Sequence, residues 1–548
     1  MGNMSSSGGA GSCSGVGAGG QDGSDDEIRR SKRPIIETDN QKWSRAKDKT
    51  FYPRDKPKNL LQVDHPEGNW VKPPMLVFFN AKGGTLKTSH TWNTAYTMSE
   101  LRGLKVLTVD MDSQRDLSRS LLKANLLEQA AANGVPPIGM VEHLNRPFTP
   151  EEVETYANPD MGFGAGAASL TRTLEGALQP LVGGLPFVKR VVPEQITERL
   201  FLLPGSSVME DIDRRMTISE GLLHDVAQQN WQGAPLHVIM DTARLIEADI
   251  VMLDLNPSLS TINRNMIMSS DYIVITTRPD NFSLENMDTF ANKMACNDPD
   301  ADLNGGSWLQ QMLFNIRPTV NHGFQGAPPR YPLPVTVPKV LGCVIADFSS
   351  QANVETTPNP ARPPEFLSTQ VNGVFHDSAA GAIQHGINSI TTRMRGLMTE
   401  IFNNEVTSPP GPFPHPPQHV QMAIDSPVYT AAGLTCLLGK IRSYESLGPL
   451  THHSGVPAPF IRTEHCVNVE TNVPLPPATA VGLKKRAPDF RRRYDQLAWN
   501  ILKLMNSDPG GIRYGLLDWA LQDRREWAGG PTRGDDGCPQ VENAPPGY

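Results

Sequence analysis

The stretch from Met75 to Ser89 constrains this chain more than any other. A short, mostly apolar run, Met75–Asn80, passes without a gap into Ala81-Lys82-Gly83-Gly84-Thr85-Leu86-Lys87-Thr88-Ser89. A helical pattern, Thr88–Arg102, begins there and is closed by Gly103. Strand, glycine-rich loop and helix in this order give a loop motif a mechanism. Successive backbone N–H groups point inward as an anion nest, and the helix N-terminus adds unsatisfied donors and a positive dipole end. Lys87 would then reach the outer phosphates of a nucleotide, and the Thr88 hydroxyl a Mg2+ ion. The nucleotide-binding candidates are therefore Lys82, Gly83, Gly84, Thr85, Leu86, Lys87, Thr88 and Ser89. The generic G-x-x-x-x-G-K-[ST] loop is not met, because Ala81 and Leu86 occupy its two glycine places.

Beyond this loop, short apolar runs bounded by Gly, Pro or Asp recur at Lys105–Asp110, Leu200–Leu203, Ile250–Leu255, Tyr272–Thr277 and Val340–Asp347. Most are apolar throughout, as expected of parallel strands covered on both faces. Helical stretches lie between them, near Asp211–Gln229, at Thr261–Ser269 and at Phe490–Met505. The alternation predicts an α/β fold with a doubly wound, mostly parallel sheet over about residues 71–508. Ligands of such sheets sit at the carboxyl ends of the strands. The 47 Gly and 48 Pro among 548 residues, against 38% hydrophobic content, say that part of the chain is not core. Residues 1–70 read as a disordered Gly/Ser-rich tail with an irregular lead-in. Pro-rich insertions are expected at about 317–338 and 405–426, and residues 509–548 as a tail with one short helix at Ile512–Trp527. Met1-Gly2-Asn3-Met4-Ser5-Ser6 has the shape of a myristoylation acceptor, which a Gly/Ser-rich start also produces by chance.

Four segments, in order, resemble the ParA/MinD-type ATPases. The loop resembles their deviant K-G-G-x-G-K-T form. Gly103-Leu104-Lys105-Val106-Leu107-Thr108-Val109-Asp110-Met111-Asp112-Ser113-Gln114 is similar to their second strand, ending in D-x-D-x-Q. Ala248-Asp249-Ile250-Val251-Met252-Leu253-Asp254-Leu255-Asn256-Pro257-Ser258-Leu259 is similar to their Walker B strand and its D-x-x-P-S turn, and Ser270–Leu284 to the strand and loop that follow. The resemblance implies a P-loop NTPase fold that binds and hydrolyses ATP with Mg2+ and forms a homodimer on ATP binding. It makes Lys82 the residue that crosses the dimer interface to the partner's phosphates. Asp112 matches the carboxylate near the attacking water and the metal, and Asp254 the acid that holds the metal, while Asp110 supports the loop from the neighbouring strand. Asp347 stands where the family often has an Asn that reads adenine. An aspartate offers acceptors only, which loosens the base preference.

Leu86 is the main departure. The family has glycine there, and a branched side chain is strained wherever φ must be positive. Two function classes follow. One is a nucleotide-switched protein that positions or partitions DNA or another cargo, helped by an activating partner protein. The other is a degenerate nucleotide-binding scaffold with little or no hydrolysis. Lys484, Lys485, Arg486, Arg491, Arg492 and Arg493 form the candidate surface for non-specific DNA contact. The alternative is that they are the wet face of a helix packing through Phe490, Tyr494, Leu497, Ile501 and Met505. A net charge of −8 argues against coating an acidic surface with the whole molecule. No apolar stretch approaches the roughly 20 residues that span a bilayer, so no stable membrane insertion is expected, and the six dispersed cysteines fit a reducing cytoplasm. His452-His453 and His465-Cys466 read as ordinary loop residues, since adjacent side chains point in different directions.

Overall fold

A computed structural model describes residues 72–157, most of 166–278, short pieces between 289 and 334, and 338–348, 437–444 and most of 447–507. The Gly2 pattern, the insertion at 405–426 and the helix expected at Ile512–Trp527 lie outside the described residues.

The strands are β1 (Met75–Phe79), β2 (Val106–Asp110), β3 (Leu170–Thr171), β4 (Arg190–Val191), β5 (Glu194–Gln195), β6 (Leu200–Leu203), β7 (Ile250–Asp254), β8 (Tyr272–Thr277), β9 (Lys339–Phe348) and β10 (Leu437–Arg442). Eight of them form one sheet in the order β10-β9-β8-β1-β7-β2-β6-β5, and β3 pairs with β4 in a small second sheet. Seven strands of the large sheet run parallel, and only the edge strand β5 is antiparallel to its neighbour. The sequence expectation of a doubly wound, mostly parallel sheet is met. The loop-bearing strand β1 lies at its centre, between β8 and β7.

The side chains of β1 alternate between two cores. Met75, Val77 and Phe79 join the cluster on one face, and Leu76 and Phe78 the cluster on the other. β7 and β8 divide in the same way. This explains why the strands read as continuous apolar runs: both faces are roofed by helices. Each fully buried side chain of this kind contributes about 1.5–3 kcal/mol. One face carries α1 (Lys87–Arg102), α2 (Asp116–Asn133) and the last helix. The other carries the helices of the middle of the chain.

The middle of the chain departs from the sequence reading. The helix expected near 211–229 is two helices, Met209–Gly221 and Val226–Leu245, broken after Gly221. The second runs through Pro235 and is covered by the described part of the first Pro-rich stretch, where Tyr331 and Leu333 are buried. A Cβ at Gly233 would lie 2.0 Å from the Tyr331 carbonyl oxygen, so this approach requires glycine. Between β2 and β6, the segment 140–195 is anchored by a buried ionic network. Arg172 spans Glu152, at 2.8 and 2.9 Å, and Glu194, at 3.2 Å. His143 reaches Glu194 at 2.9 Å, and Arg146 pairs with Glu152 at 2.8 Å. These pairings join residues distant in sequence, and no local period announces them.

With the two short helices Met140–Leu144 and Pro150–Tyr156 as α3 and α4, the middle helices are α5 (Leu174–Val182), α6 (Met209–Gly221), α7 (Val226–Leu245) and α8 (Thr261–Ser269). The closing helices are α9 (Leu447–Ser454), α10 (Pro477–Lys484) and α11 (Ala487–Ser507). Among the described residues, no helix is long and apolar enough to cross a membrane.

Candidate functional site

The site lies at the carboxyl end of β1. Asn80, the residue after the strand, ties the loop down in two directions. Its Nδ2 donates to the Thr276 carbonyl at 2.7 Å, and its Oδ1 accepts from the Lys82 backbone N–H at 2.8 Å. Thr276 also donates through its hydroxyl to Thr85 Oγ1 at 3.2 Å. The β8 end therefore fixes the loop from one side. On the other side, Gly83 lies against the β7 turn, where an added Cβ would be 4.0 Å from Pro257 Cγ. Gly84 has φ 74°, and Leu86 has φ 61° and ψ 28°, the left-handed conformation. For a leucine this costs about 1–2 kcal/mol. The strain anticipated at Leu86 is present. Leu86 then leads directly into α1 with no side-chain cap.

Lys87 is buried, and its Nζ donates to the Lys82 carbonyl at 3.3 Å. Burial pushes its pKa down, while the charges of Asp254 and Asp112 pull it back up. Lys82 and Lys87 are thus joined across the loop. Thr88 and Ser89 are half-buried in the first turn of α1.

Three aspartates face this turn from β2 and β7, and they do different work. Asp110 and Asp254 are paired across the sheet, and Phe78 of β1 is in register with Asp254. Asp110 is fully hydrogen-bonded: it accepts from the Asp112 N–H at 3.1 Å, the Ser118 N–H at 2.8 Å and the Ser118 hydroxyl at 2.7 Å. Burial raises its pKa to about 6, against the pull of these bonds. The loop-supporting role expected for Asp110 is replaced by another. It caps α2, because its donors lie in that helix and the switch from β2 into it. Gly205, after β6, completes this corner. Its N–H donates to Ser118 Oγ at 3.0 Å, and a Cβ there would meet the Asp110 carbonyl at 2.8 Å.

Asp254 is different. It is completely buried, and neither carboxylate oxygen completes a hydrogen bond of ordinary geometry with a protein donor. Burial raises its pKa well above the usual carboxylate range. The Asp110 charge adds to this, and the Thr88 hydroxyl and Lys87 oppose it. Thr88 is near enough to act electrostatically without closing a proper bond. A buried carboxylate left in this state calls for a cation. The donor set of Asp254, Thr88 and half-buried Asp112 fits a hydrated Mg2+ ion, which is oxygen-ligated and keeps several waters. Asp112 accepts from the Gln114 N–H at 2.9 Å through one oxygen.

Helices α1 and α2 are both entered through a non-glycine left-handed residue without a side-chain cap of its own, Leu86 in one and Arg115, at φ 58°, in the other. α2 has an anion built in, the Asp110 carboxylate on its third N–H. No side chain caps α1, and its N-terminus is flanked by Lys82 and Lys87. That arrangement suits an anionic ligand.

The remaining expected residues are dispersed. Asp347 is next to last in β9, and its side chain lies outside the described residues. The same holds for the side chain of Lys484 and for Lys485. Arg486 and Arg492 are exposed, and Arg491 lies over the Phe460 ring at 5.6 Å. Arg492 and Arg493 share Asp489, at 2.7 and 2.9 Å, and these two arginines hold its carboxyl below the usual range against the effect of burial. Phe490, Tyr494, Leu497, Ile501 and Met505 are all buried, as the helix pattern predicted. The sequence reading missed Asn80 and Thr276. The only signal for either was its place at the carboxyl end of a strand beside the loop.

A family model described as an AAA domain matches residues 74–296. The virulence plasmid ParA family protein pGP5-D of Chlamydia psittaci is 23% identical over 212 residues, 38% of this chain. The match spans 58% of that relative's length. Among solved structures, protein DIP2308 of Corynebacterium diphtheriae is 19% identical, with a TM-score of 0.33, covering 59% of this chain and 99% of that one. Cobyrinic acid a,c-diamide synthase of Mycobacterium smegmatis, solved with ADP and magnesium, is 16% identical, with a TM-score of 0.30, covering 56% of this chain and 82% of that one.

Proposed function

We propose that this chain, a ParA/MinD-type P-loop ATPase by family, is a nucleotide-operated switch that binds ATP with Mg2+ at the start of α1. The observation that carries the reading is the uncapped N-terminus of α1, set between Lys87 and the unpartnered carboxylate of Asp254, beside a sister helix that Asp110 already caps.

The roles follow from position. Backbone N–H groups of Gly83–Ser89 cradle the phosphates, and Lys87 supplies a charge that needs little solvent reorganisation because it is buried. Thr88 and Asp254 would hold Mg2+. The ion, when bound, would neutralise charge on the phosphate oxygens. Asp112, on the edge of the site, orients a water molecule for hydrolysis. Lys82 reaches the phosphates of a second copy, so ATP binding and homodimer formation are linked. The base lies toward Asp347. The dimer presents two copies of the surface Lys484, Lys485, Arg486, Arg491, Arg492 and Arg493 to non-specific DNA, and an activating partner protein sets the rate of turnover. Asp489 neutralises part of that surface, so fewer phosphates are contacted and DNA binding is weak, falling with salt less steeply than six free cations would give.

The test is calorimetry of Mg-ATP binding together with light scattering of the oligomer. Wild type should bind and dimerise, and Lys87→Ala should do neither. Binding of Mg-ATP unchanged by Lys87→Ala would remove the reading. A second reading, a nucleotide-bound scaffold with little turnover, is favoured by one observation, the left-handed Leu86 in the loop itself. Phosphate release under saturating Mg-ATP separates the two.

A further inference from the structure

α1 is buried over most of its circumference, with Ser89, Tyr96 and Glu100 half-buried, and its apolar stripe is thin: Trp92, Ala95 and Met98. His90, Thr91, Asn93, Thr94, Thr97 and Ser99 are buried alongside Trp92, Ala95 and Met98. Apolar burial is non-directional, and a stripe this narrow sets the rotation about the axis only coarsely. Hydrogen bonds, which are directional, set it finely. The rotation decides where Lys87 and Thr88 point, because both sit in the first turn. The turn is weakly fixed locally: no side chain caps it, a strained residue leads into it, and its own side-chain ties are Lys87 Nζ to the Lys82 carbonyl and the Thr91 hydroxyl to the Lys87 carbonyl.

The side-chain hydrogen bonds that reach the second turn of α1 from other elements come from two tyrosines. Asn93 Nδ2 donates to the Ser89 carbonyl at 2.7 Å, which fixes the orientation of the amide, and also donates to Tyr444 Oη at 3.2 Å. Tyr444 Oη and Tyr494 Oη share a short hydrogen bond. Tyr494 Oη lies 3.0 Å from His90 Nδ1. Running from Asn93 through Tyr444 and Tyr494 to His90, each hydroxyl accepts once and donates once. With its proton on Nε2, the His90 ring offers Nδ1 as the acceptor. The tyrosines are themselves rigidly held. Tyr444 stacks on Phe490 of α11, centroids 4.9 Å apart and planes at 5°, and Tyr494 is fully buried in the same helix. At its other end α1 is tied to the same helix by Arg102–Asp495 at 2.5 Å.

We propose that Tyr494 and Tyr444 are positioning residues for the phosphate loop: through His90 and Asn93 they fix the rotation of α1, and with it the aim of Lys87 and Thr88. The proposal rests on the nucleotide-binding reading above. A phenylalanine at either position would fill nearly the same volume, so the hydroxyls are what the reading requires.

The test uses the full chain at 15 °C, with Mg-ATP and with ATP in EDTA as probes. Wild type is measured first, and failure to bind Mg-ATP overturns the nucleotide reading itself. Given wild-type binding, Tyr494→Phe and Tyr444→Phe should each weaken Mg-ATP about tenfold and shrink the advantage of Mg-ATP over metal-free ATP, because Thr88 is misdirected. Ile501→Val, a small packing change in the same helix, should lower the melting temperature and leave Mg-ATP affinity unchanged. If the tyrosine variants behave like Ile501→Val, stability is their only role and the proposal fails. If only one of them folds, that one decides by the same criterion, and if neither folds the tyrosines are structural and the proposal is lost.

Discussion

The carboxylate of Asp110 accepts both the backbone N–H of Ser118, at 2.8 Å, and its hydroxyl, at 2.7 Å. One helix of the site therefore carries its own anion, and the neighbouring helix does not. Replacing Asp110 by Ala would strand three donors in a fully buried corner. The expected loss is about 2–4 kcal/mol, since each unmade bond there costs about 1–3 kcal/mol and the corner relaxes in part. Urea unfolding of Asp110→Ala against wild type measures it, and a change below 1 kcal/mol would mean that α2 does not depend on this cap.

Leu86 should respond in the opposite sense. Glycine adopts φ 61° without steric cost but loses more entropy on folding. The two effects partly cancel, and Leu86→Gly should gain up to about 1 kcal/mol. The melting temperature should stay level or rise slightly, and phosphate release should quicken if the leucine restrains the loop. A clear drop in melting temperature would show that the leucine side chain contributes packing that outweighs the backbone strain.

Asp254 separates stability from function. Its folded pKa lies above the unfolded value, so the folded state holds the proton more tightly and stability falls as pH rises from about 3.8 toward the folded pKa. At neutral pH the buried carboxylate is a burden to the free protein. Asp254→Asn removes the charge and should raise stability by about 1 kcal/mol in the absence of ligand, while Mg-dependent nucleotide affinity is lost. Calorimetry and thermal melting of the same sample test both halves, and a variant both less stable and still Mg-responsive would contradict them.

The buried ionic network of the segment 140–195 gives a pH signature. Glu152 is lowered to about 2, with Arg172, Thr149 and Arg146 outweighing the opposing effect of burial. A depressed carboxyl stabilises fully above its unfolded pKa, near 4.5, and that contribution disappears as pH falls toward 2. Glu152→Gln should therefore cost about 1.5–3 kcal/mol at pH 7, the usual value for bonds to charged groups. The difference from wild type should close as pH falls below 4.5. Denaturation curves at pH 7, 4 and 3 would show the convergence, and a difference independent of pH would assign the loss to packing instead.

The sequence by itself determined what depends on local order. The run Met75–Asn80 followed by the glycine loop marked the candidate site at the end of a strand, and the apolar runs announced a sheet covered on both faces, while the central place of that strand came from the tertiary structure. Gly103, which ends α1 at φ 72°, and the buried face of α11 were readable for the same reason, since helix period and backbone freedom are properties of neighbours in the chain. The tertiary structure alone decided which polar groups met. Asp110 and Asp254 look alike at their strand ends, yet one found Ser118 and became a cap while the other has only the Thr88 hydroxyl and Lys87 nearby, with no hydrogen bond of ordinary geometry. Tyr444 and Tyr494 lie some 350 to 400 positions from their partners Asn93 and His90. Hydrogen bonds are short and directional, so their pairing is settled only once the layers have packed, and no period in the sequence encodes it.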